Sequence, residues 1–206
     1  MTHYFSDNKD LPHNYRTINF DFNGINFKFN TDSGVFSNTE VDFGTYVLLD
    51  FVKDQDIKGK VLDLGCGYGV ISIVLSKFFD IETYGVDINS RAINLAKKNA
   101  KLNNVNVDYL ISDCFSDIDY MFDEILVNPP IRAGKKIVYK MFNDSYDHLN
   151  TNGNLWVVIR KQQGASSAVN EIKSKFNNCD IVKKKKGFWI LKATKYWQID
   201  YCLVTW

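Results

Sequence analysis

Val-Leu-Asp-Leu-Gly-Cys-Gly-Tyr-Gly, residues 61–69, is the stretch that decides the fold. Its apolar start predicts a buried β-strand and residues 70–79 continue with a helical pattern, so the glycines lie in the turn between a strand and a helix. Without Cβ atoms, glycines let a ligand lie against the main chain at the N-terminus of that helix. The glycines are Gly65, Gly67 and Gly69. Their G-x-G-x-G spacing, with Asp63 just before them, favours an adenosyl ligand without a pyrophosphate; an ordinary tight turn is the alternative.

A carboxylate follows the next predicted strand. Residues 83–86 are rich in β-forming side chains, and Asp87 ends them 22 residues after Gly65. At the carboxyl end of a parallel strand, such a carboxylate can accept hydrogen bonds from both hydroxyls of a ribose. The glycine turn and Asp87 together predict a nucleoside-binding pocket.

A third motif, Asn-Pro-Pro-Ile at 128–131, directly follows the apolar strand 124–127. In this order and spacing, the three motifs resemble those of class I S-adenosylmethionine-dependent methyltransferases that modify amino groups on planar nitrogens. Three longer strings are Asp-Ser-Gly-Val-Phe-Ser (32–37), Val-Asp-Phe-Gly-Thr (41–45) and Asn-Pro-Pro-Ile-Arg-Ala-Gly-Lys (128–135). They resemble the catalytic half of the small-subunit ribosomal RNA guanine-N2 methyltransferases and the single-domain bacterial proteins related to it. The likeness covers about residues 4–195.

The resemblance implies an α/β fold, a Rossmann-like class I methyltransferase domain. Its mixed sheet has seven strands in the order 3-2-1-4-5-7-6, with helices on both faces and ligands at the carboxyl ends of the strands. The last predicted strands, residues 180–184 and 188–193, form a hairpin that supplies one antiparallel strand. Ser90 is the predicted N-cap of a helix over residues 91–102.

A second hairpin is predicted near the N-terminus. Apolar residues alternate with polar ones in residues 18–22 and 25–29, on either side of Asn23-Gly24, a preferred type I′ turn. Pairing the two runs places six apolar side chains on one face, and that face must cover the main sheet or its first helix.

We divide the chain into three parts: an N-terminal extension with the hairpin (1–40), a methyltransferase domain (41–195) and a tail of unknown role (196–206). The tail is either foreign to the fold or, through its aromatic residues, a contact with a partner subunit. Residues 32–45, between the hairpin and the glycine turn, are expected to close over the site.

Composition is that of one globular domain. The chain has 206 residues, 45% of them hydrophobic. It has no apolar run of 18 residues and no charged-then-apolar leader, so we expect a cytoplasmic protein that does not enter membranes. The four cysteines stand far apart and the three histidines are scattered, which favours reduced thiols and no metal site.

Charge is unevenly distributed along the chain. Residues 1–130 carry 11 basic and 19 acidic side chains, whereas residues 131–195 carry 14 basic and 4 acidic ones. This asymmetry predicts a positive surface near the Asn-Pro-Pro motif that suits phosphates. For the run Lys183 to Lys186, a solvated face of an edge strand is an equal alternative.

S-adenosylmethionine is the methyl donor that the resemblance implies. The residues implied to hold it are Asp63, Gly65, Gly67, Gly69, Asp87, Asp113 and Asn128. In this assignment Asp113 accepts the exocyclic amine of adenine; a lone Asp at a strand end is more often a turn or cap residue.

Asn128 and Pro129 are the candidate catalytic residues. The methyl group of a sulfonium is already a strong electrophile, so the enzyme mainly has to place an amine in line behind it. The amine lone pair is delocalised into its ring. The Asn128 side-chain oxygen and the Pro129 carbonyl can accept its two N–H bonds and stabilise the developing positive charge. Paired prolines hold that carbonyl in place because their φ is locked.

Ile131 departs from the pattern of adenine-N6 and glutamine-N5 methyltransferases, which usually carry Tyr or Phe there to stack on the target. We take it as evidence against those targets, and Phe36 becomes a candidate stacking residue, with a core role as its alternative. The substrate-binding candidates are Pro130, Ile131, Arg132, Lys135, Lys161 and Phe36. The cations among them could grip RNA phosphates, although each alone is more simply a solvated surface charge.

We therefore predict N-methylation of guanine N2 in small-subunit ribosomal RNA. The partner is rRNA or the small ribosomal subunit, and the protein is a monomer or a homodimer. Two alternatives stay open: an N-methyltransferase that acts on a protein or small molecule, and a non-catalytic RNA-binding protein that retains the cofactor pocket.

Overall fold

The computed structural model describes residues 11–197. The first ten residues and positions 198–206 of the tail lie outside this range, so the predicted tail contact lies largely outside the described residues. The three-part division of the chain stays a prediction.

Seven strands form the main sheet: β3 (Lys60–Leu64), β4 (Glu82–Asp87), β5 (Asp108–Ile111), β6 (Phe122–Val127), β7 (Leu149–Arg160), β8 (Asp180–Lys185) and β9 (Phe188–Thr194). Their order is β5-β4-β3-β6-β7-β9-β8. Counted from β3, this is 3-2-1-4-5-7-6, which confirms the predicted sheet. β9 runs antiparallel to both of its neighbours, as the terminal hairpin requires.

Helices cover both faces of this sheet. They are α1 (Phe43–Val52), α2 (Val70–Phe78), α3 (Ser90–Leu102), α4 (Lys135–Asp147) and α5 (Ala165–Phe176). The first three pack on one face together with the N-terminal hairpin, and the last two pack on the other. Successive residues of a strand alternate between these two cores, so Leu62 and Leu64 face α4 and α5 while Asp63 faces α2.

The N-terminal hairpin consists of β1 (Arg16–Phe22) and β2 (Ile25–Thr31). Phe22 pairs with Ile25, and both turn residues have positive φ, 48° at Asn23 and 79° at Gly24, as a type I′ turn requires. The predicted register and turn are therefore confirmed.

Asn99 of α3 and Asn103, the C-cap of that helix, take the place of a neighbouring strand along β2. Asn30 N donates to Asn99 Oδ1 at 2.7 Å, and Asn99 Nδ2 donates back to Asn30 O at 3.0 Å. Asn103 exchanges the same pair of bonds with the backbone of Lys28 at 3.0 and 2.8 Å. These side chains satisfy the backbone of an otherwise open edge and fix the hairpin to α3.

The predicted N-cap of α3 is wrong by one residue. The cap is Asn89, whose side chain accepts from Arg91 N at 3.0 Å and Ala92 N at 3.4 Å, and Ser90 is the first helical residue. Asn and Ser cap helices about equally well, so local preference cannot choose between neighbours.

Between residues 11 and 197, no helix is long and apolar enough to cross a membrane. Over the same range, no three His, Cys, Asp or Glu side chains are grouped so that they could hold a metal ion.

Candidate active site

A cavity of about 260 Å³ opens at the carboxyl ends of β3, β4 and β6. It is lined by the glycine turn, the first turn of α1, part of α4 and residues 35–37. The sequence-predicted site residues that line it are Phe36, Asp63, Gly65, Gly67, Asp87, Asp113, Asn128, Pro129 and Pro130. The structure thus brings three distant motifs to one place, as parallel strands with a shared edge require.

The three glycines of the turn have different surroundings. Gly67 has φ +55° and lines the cavity, and no atom of the described part of the chain lies within 4 Å of the position a Cβ would occupy. Gly69 has φ +93°, and a Cβ there would lie 2.5 Å from Tyr109 Oη. Gly69 is absent from the cavity lining, and its evident role is to let the turn pack against β5. Its contact with a cofactor stays a prediction.

Asp63 is a buried carboxylate at the floor of the cavity. Ser72 N donates to its Oδ2 at 2.9 Å, whereas among residues 11–197 Oδ1 has no hydrogen-bond partner. Burial raises the pKa of this carboxyl to about 7, against the opposing effect of the Ser72 hydrogen bonds. A buried acceptor without a donor is costly, so this atom calls for a cationic or N–H group from a ligand.

Asp87 stands where β4 ends, with its carboxylate already held in position. Its Oδ2 accepts from Gly67 N at 2.9 Å and its Oδ1 from Asn89 N at 2.8 Å. Burial raises its pKa, and these backbone N–H groups oppose that effect. The carboxylate joins the glycine turn to the N-terminus of α3 and borders the cavity. Its contact with a ribose stays a prediction.

Residues 35–37 form part of the cavity wall, which agrees with the expectation that this segment closes over the site. Its anchors were not predicted. Asn89 Nδ2 donates to Gly34 O at 2.9 Å, and Tyr68 Oη donates to Ser37 O at 3.1 Å. The wall is therefore tied both to the glycine turn and to the cap of α3.

A buried ion pair holds the start of the same segment. Arg91 Nη1 lies 3.3 Å from Asp32 Oδ2, and both side chains are buried. Burial raises the pKa of Asp32, but hydrogen bonds from His13, Asn14 N and Ser33 N and the charge of Arg91 outweigh it, so the pKa is lowered. Asp32 is thus a charged anchor for the wall.

Asn128 has a fixed amide orientation. Its Nδ2 donates to Asp42 Oδ2 at 3.0 Å and to Thr45 Oγ1 at 2.9 Å. Asp42 is the N-cap of α1 and also accepts from Thr45 N at 3.0 Å. A carboxylate only accepts hydrogen bonds, so Asp42 must face the NH₂ group. The Oδ1 atom is left for the cavity, and within residues 11–197 it has no donor.

Sequence reasoning did not assign Asp42 or Thr45 a role. Both lie in the string Val-Asp-Phe-Gly-Thr, one of those that resemble known methyltransferases. That resemblance was the feature of the sequence that could have pointed to them. The residues that contact Asn128 lie more than 80 positions away in sequence, so only the fold brings them together.

The predicted substrate residues fall into two groups. Phe36, 40% exposed, and Pro130 line the cavity. Ile131 and Lys135 instead border a shallow depression beside α5, while Arg132 and Lys161 are exposed outside the cavity. Their predicted contacts with substrate remain predictions.

The sequence profile of the methyltransferase small domain family matches residues 26–192, which contain the glycine turn, Asp87 and the Asn-Pro-Pro-Ile motif. The chain belongs to this family. It is accordingly an S-adenosylmethionine-dependent methyltransferase, as the motifs predicted.

Proteins similar to the chain include YbxB of Bacillus subtilis, an uncharacterized protein. It is 44% identical over 197 residues, covering 94% of this chain and 98% of YbxB. Ribosomal RNA small subunit methyltransferase C of Vibrio cholerae is 31% identical over 191 residues, covering 90% of this chain and 55% of the relative. The chain spans about half the length of that relative.

A solved structure shares the fold of this chain. The 16S rRNA methyltransferase RsmC of T. thermophilus, in complex with AdoMet and guanosine, superposes with a TM-score of 0.81 at 24% identity. The superposition covers 90% of this chain and 52% of that one. The likeness confirms the class I methyltransferase fold.

The cavity residues fit S-adenosylmethionine. Asp63 Oδ1 could accept from an ammonium group, Asp87 from the ribose hydroxyls, and Asp113, which lines the cavity, from an adenine amine. Gly67 offers bare main chain for close approach. When bound, this cofactor supplies an electrophilic methyl group.

Proposed function

We propose that this protein methylates the exocyclic N2 amine of a guanine in small-subunit ribosomal RNA. The observation that carries the proposal is the Asn128 amide in the cavity lining. Its NH₂ group is engaged by Asp42 and Thr45, while its Oδ1 accepts no hydrogen bond from residues 11–197. The site therefore presents an oriented hydrogen-bond acceptor where an amine would enter.

A neutral ring amine suits this acceptor. Its two N–H groups can donate to Asn128 Oδ1 and to the carbonyl of Pro129, which within residues 11–197 accepts no other hydrogen bond. These bonds strengthen as positive charge develops on the nitrogen, so they favour the transition state over the ground state. An alkyl amine would arrive protonated and would first have to lose a proton, a step this pair of acceptors does not perform.

The choice of RNA as the methyl acceptor is supported by the charge of the chain and by its relatives. Arg132, Lys135 and Lys161 are exposed near the Asn-Pro-Pro end of the sheet, and residues 131–195 carry a large excess of basic side chains, which suits phosphates. Ribosomal RNA small subunit methyltransferase C, to which the chain is similar, is by name an enzyme of this RNA. The proposal places the protein in the cytoplasm, as a monomer or homodimer.

The test is methyl transfer from labelled S-adenosylmethionine to small ribosomal subunits and to naked rRNA, both from cells that lack this protein. We expect N2-methylguanosine with the intact protein, and a loss of about 100-fold or more with Asn128→Ala, by analogy with removing one oriented group from an oxyanion hole. Cofactor affinity, measured by calorimetry, serves as the control for folding. Cofactor binding without any labelled guanosine, or equal labelling by the Asn128→Ala variant, would refute the proposal.

A further inference from the structure

An aromatic and cationic cluster lies beside the cavity, outside the residues used so far. Its members are Phe43, Phe188, Arg160 and Lys186. Phe43 begins α1, Arg160 ends β7, and Phe188 begins the antiparallel strand β9, so all of them meet at the carboxyl-end edge of the sheet. We call this set the aromatic–cation cluster.

The two rings and two cations of the cluster are in direct contact. The ring centroids of Phe43 and Phe188 are 5.8 Å apart at an interplanar angle of 62°. Arg160 Cζ lies 5.2 Å from the Phe188 centroid, and Lys186 Nζ lies 5.4 Å from that of Phe43. Phe43 is nevertheless 37% exposed, so a ring of this size presents a substantial apolar surface to solvent.

The aromatic–cation cluster is linked directly to the proposed catalytic amide. Phe43 follows Asp42, whose carboxylate lies 3.0 Å from Asn128 Nδ2. Gly44 makes this approach possible, because a Cβ there would lie 2.8 Å from both Asp42 Oδ2 and Phe188 Cε1. The same three-residue stretch therefore orients Asn128 and brings the cluster next to it.

The cations of the cluster keep their charge available. Over residues 11–197, neither Arg160 nor Lys186 forms an ion pair with a carboxylate. Lys185 offers a contrast, since its Nζ lies 2.8 Å from Asp50 Oδ2 and its charge is balanced by that carboxylate. Protection of an edge strand explains lysines on β8, but it does not explain Arg160 on the interior strand β7 or Phe43 on α1.

We infer that the aromatic–cation cluster binds the single-stranded RNA next to the target guanosine. This inference rests on the proposed function and goes beyond it by naming the surface that grips the flanking nucleotides. Unpaired bases stack on aromatic rings and on guanidinium planes, and phosphates bind cations. Phe43 and Arg160 take a flanking base, and Lys186 takes a backbone phosphate.

Direct binding tests this inference without catalysis. A fluorescein-labelled single-stranded RNA of mixed sequence is titrated with protein, and anisotropy is recorded over a range of salt concentrations. Phe43→Ala should weaken binding about tenfold through the loss of one stacking contact. Arg160→Gln should also weaken binding, because the guanidinium that stacks on the flanking base is lost. Lys186→Gln should reduce the slope of log affinity against log salt by about 0.7, because one phosphate contact is lost. Phe43→Tyr keeps the ring and should bind like the intact protein.

The chain provides a matched control at the opposite edge of the sheet. Tyr120 is 45% exposed and lies under Lys60, whose Nζ is 5.5 Å from its ring centroid, just before β6 begins. Tyr120→Ala removes a comparable ring from a comparable cation and should leave RNA affinity unchanged.

Two outcomes overturn the inference: Phe43→Ala and Arg160→Gln binding RNA as tightly as Tyr120→Ala, or an equal loss in all three variants. Should Phe43→Ala fail to fold, Arg160→Gln decides. Methyl transfer separates this inference from the proposed function. In the intact protein, absence of any N2-methylguanosine would refute the proposed function, while the binding titrations would still decide whether the cluster holds RNA.

Discussion

The change of Thr45 to Val tests whether the enzyme depends on a fixed orientation of the Asn128 amide. Thr45 Oγ1 accepts one hydrogen of Asn128 Nδ2 at 2.9 Å, while Asp42 accepts the other at 3.0 Å. Valine has nearly the same shape, and the helix cap is retained because it uses Thr45 N rather than the side chain. The substitution thus removes one acceptor and little else.

The expected fall in kcat follows from the surroundings of the Asn128 amide. A typical hydrogen bond contributes roughly 1 kcal/mol net, and an orphaned buried donor costs up to about 3 kcal/mol. Asn128 borders the cavity and is partly exposed, so water can reach the abandoned hydrogen and the lower figure applies. At about 1.4 kcal/mol per factor of ten, we expect kcat to fall roughly five- to tenfold. Asp42 still holds the other hydrogen, so activity is not abolished.

The assay is kcat for methyl transfer at saturating cofactor and RNA, with thermal unfolding as a check on stability. Thr45→Ser keeps the hydroxyl and should remain within about twofold of the intact protein, since the acceptor is preserved. If Thr45→Val turned over as fast as the intact protein, or if Thr45→Ser were as slow as Thr45→Val, the orientation argument would be refuted.

Two further predictions concern the glycine turn and its buried carboxyl. Burial raises the pKa of Asp63 to about 7, whereas an unfolded chain loses this proton near pH 4, so the cofactor-free protein should lose stability as pH rises from about 4 to about 7. Urea titrations of Asp63→Asn should show a smaller loss of stability over this pH range. Part of the loss persists because burial also raises the pKa of Glu124 to about 7. A loss as large as that of the intact protein would contradict the argument. Gly69→Ala should lower the free energy of unfolding by roughly 2 kcal/mol or more, since the backbone is left-handed and the new Cβ meets Tyr109 Oη at 2.5 Å. Gly67→Ala is the control, because its φ is also positive but the space around the new Cβ is open, and it should cost about 1 kcal/mol of unfolding free energy. Equal losses in the two variants would show that the Tyr109 contact is unimportant.

Local patterns were sufficient for most of the fold. The strand-to-helix turn at 61–69, the type I′ turn at Asn23-Gly24 and the alternation within each hairpin run depend on neighbours in sequence, and all were confirmed. The order of the seven strands came from the resemblance of the motifs to a known family, and the structure agrees with it. The N-cap of α3 was missed because Asn89 and Ser90 have similar capping preferences.

Sequence alone also located the candidate site, because a carboxylate or amide that ends a parallel strand must lie at the same edge as its neighbours. Asp87 and Asn128 were predicted in this way, whereas Asp63 was singled out by its position just before the glycines. The structure brings all three to one cavity. The position of Gly69 against Tyr109 and the position of Ile131 outside the cavity were not predictable, since each depends on an element distant in sequence.

Only the tertiary structure decided the hydrogen-bond partners of the polar groups and their pKa values. The sequence determined that an asparagine follows β6, but the direction of its amide depends on Asp42 and Thr45, which reach it only after α1 has packed beside the sheet. Likewise, the Asp63 carboxyl was visible in the motif, while its missing partner and its raised pKa follow from burial beneath α2. Hydrogen-bond direction and desolvation depend on atoms brought together across the fold, and no local pattern specifies them.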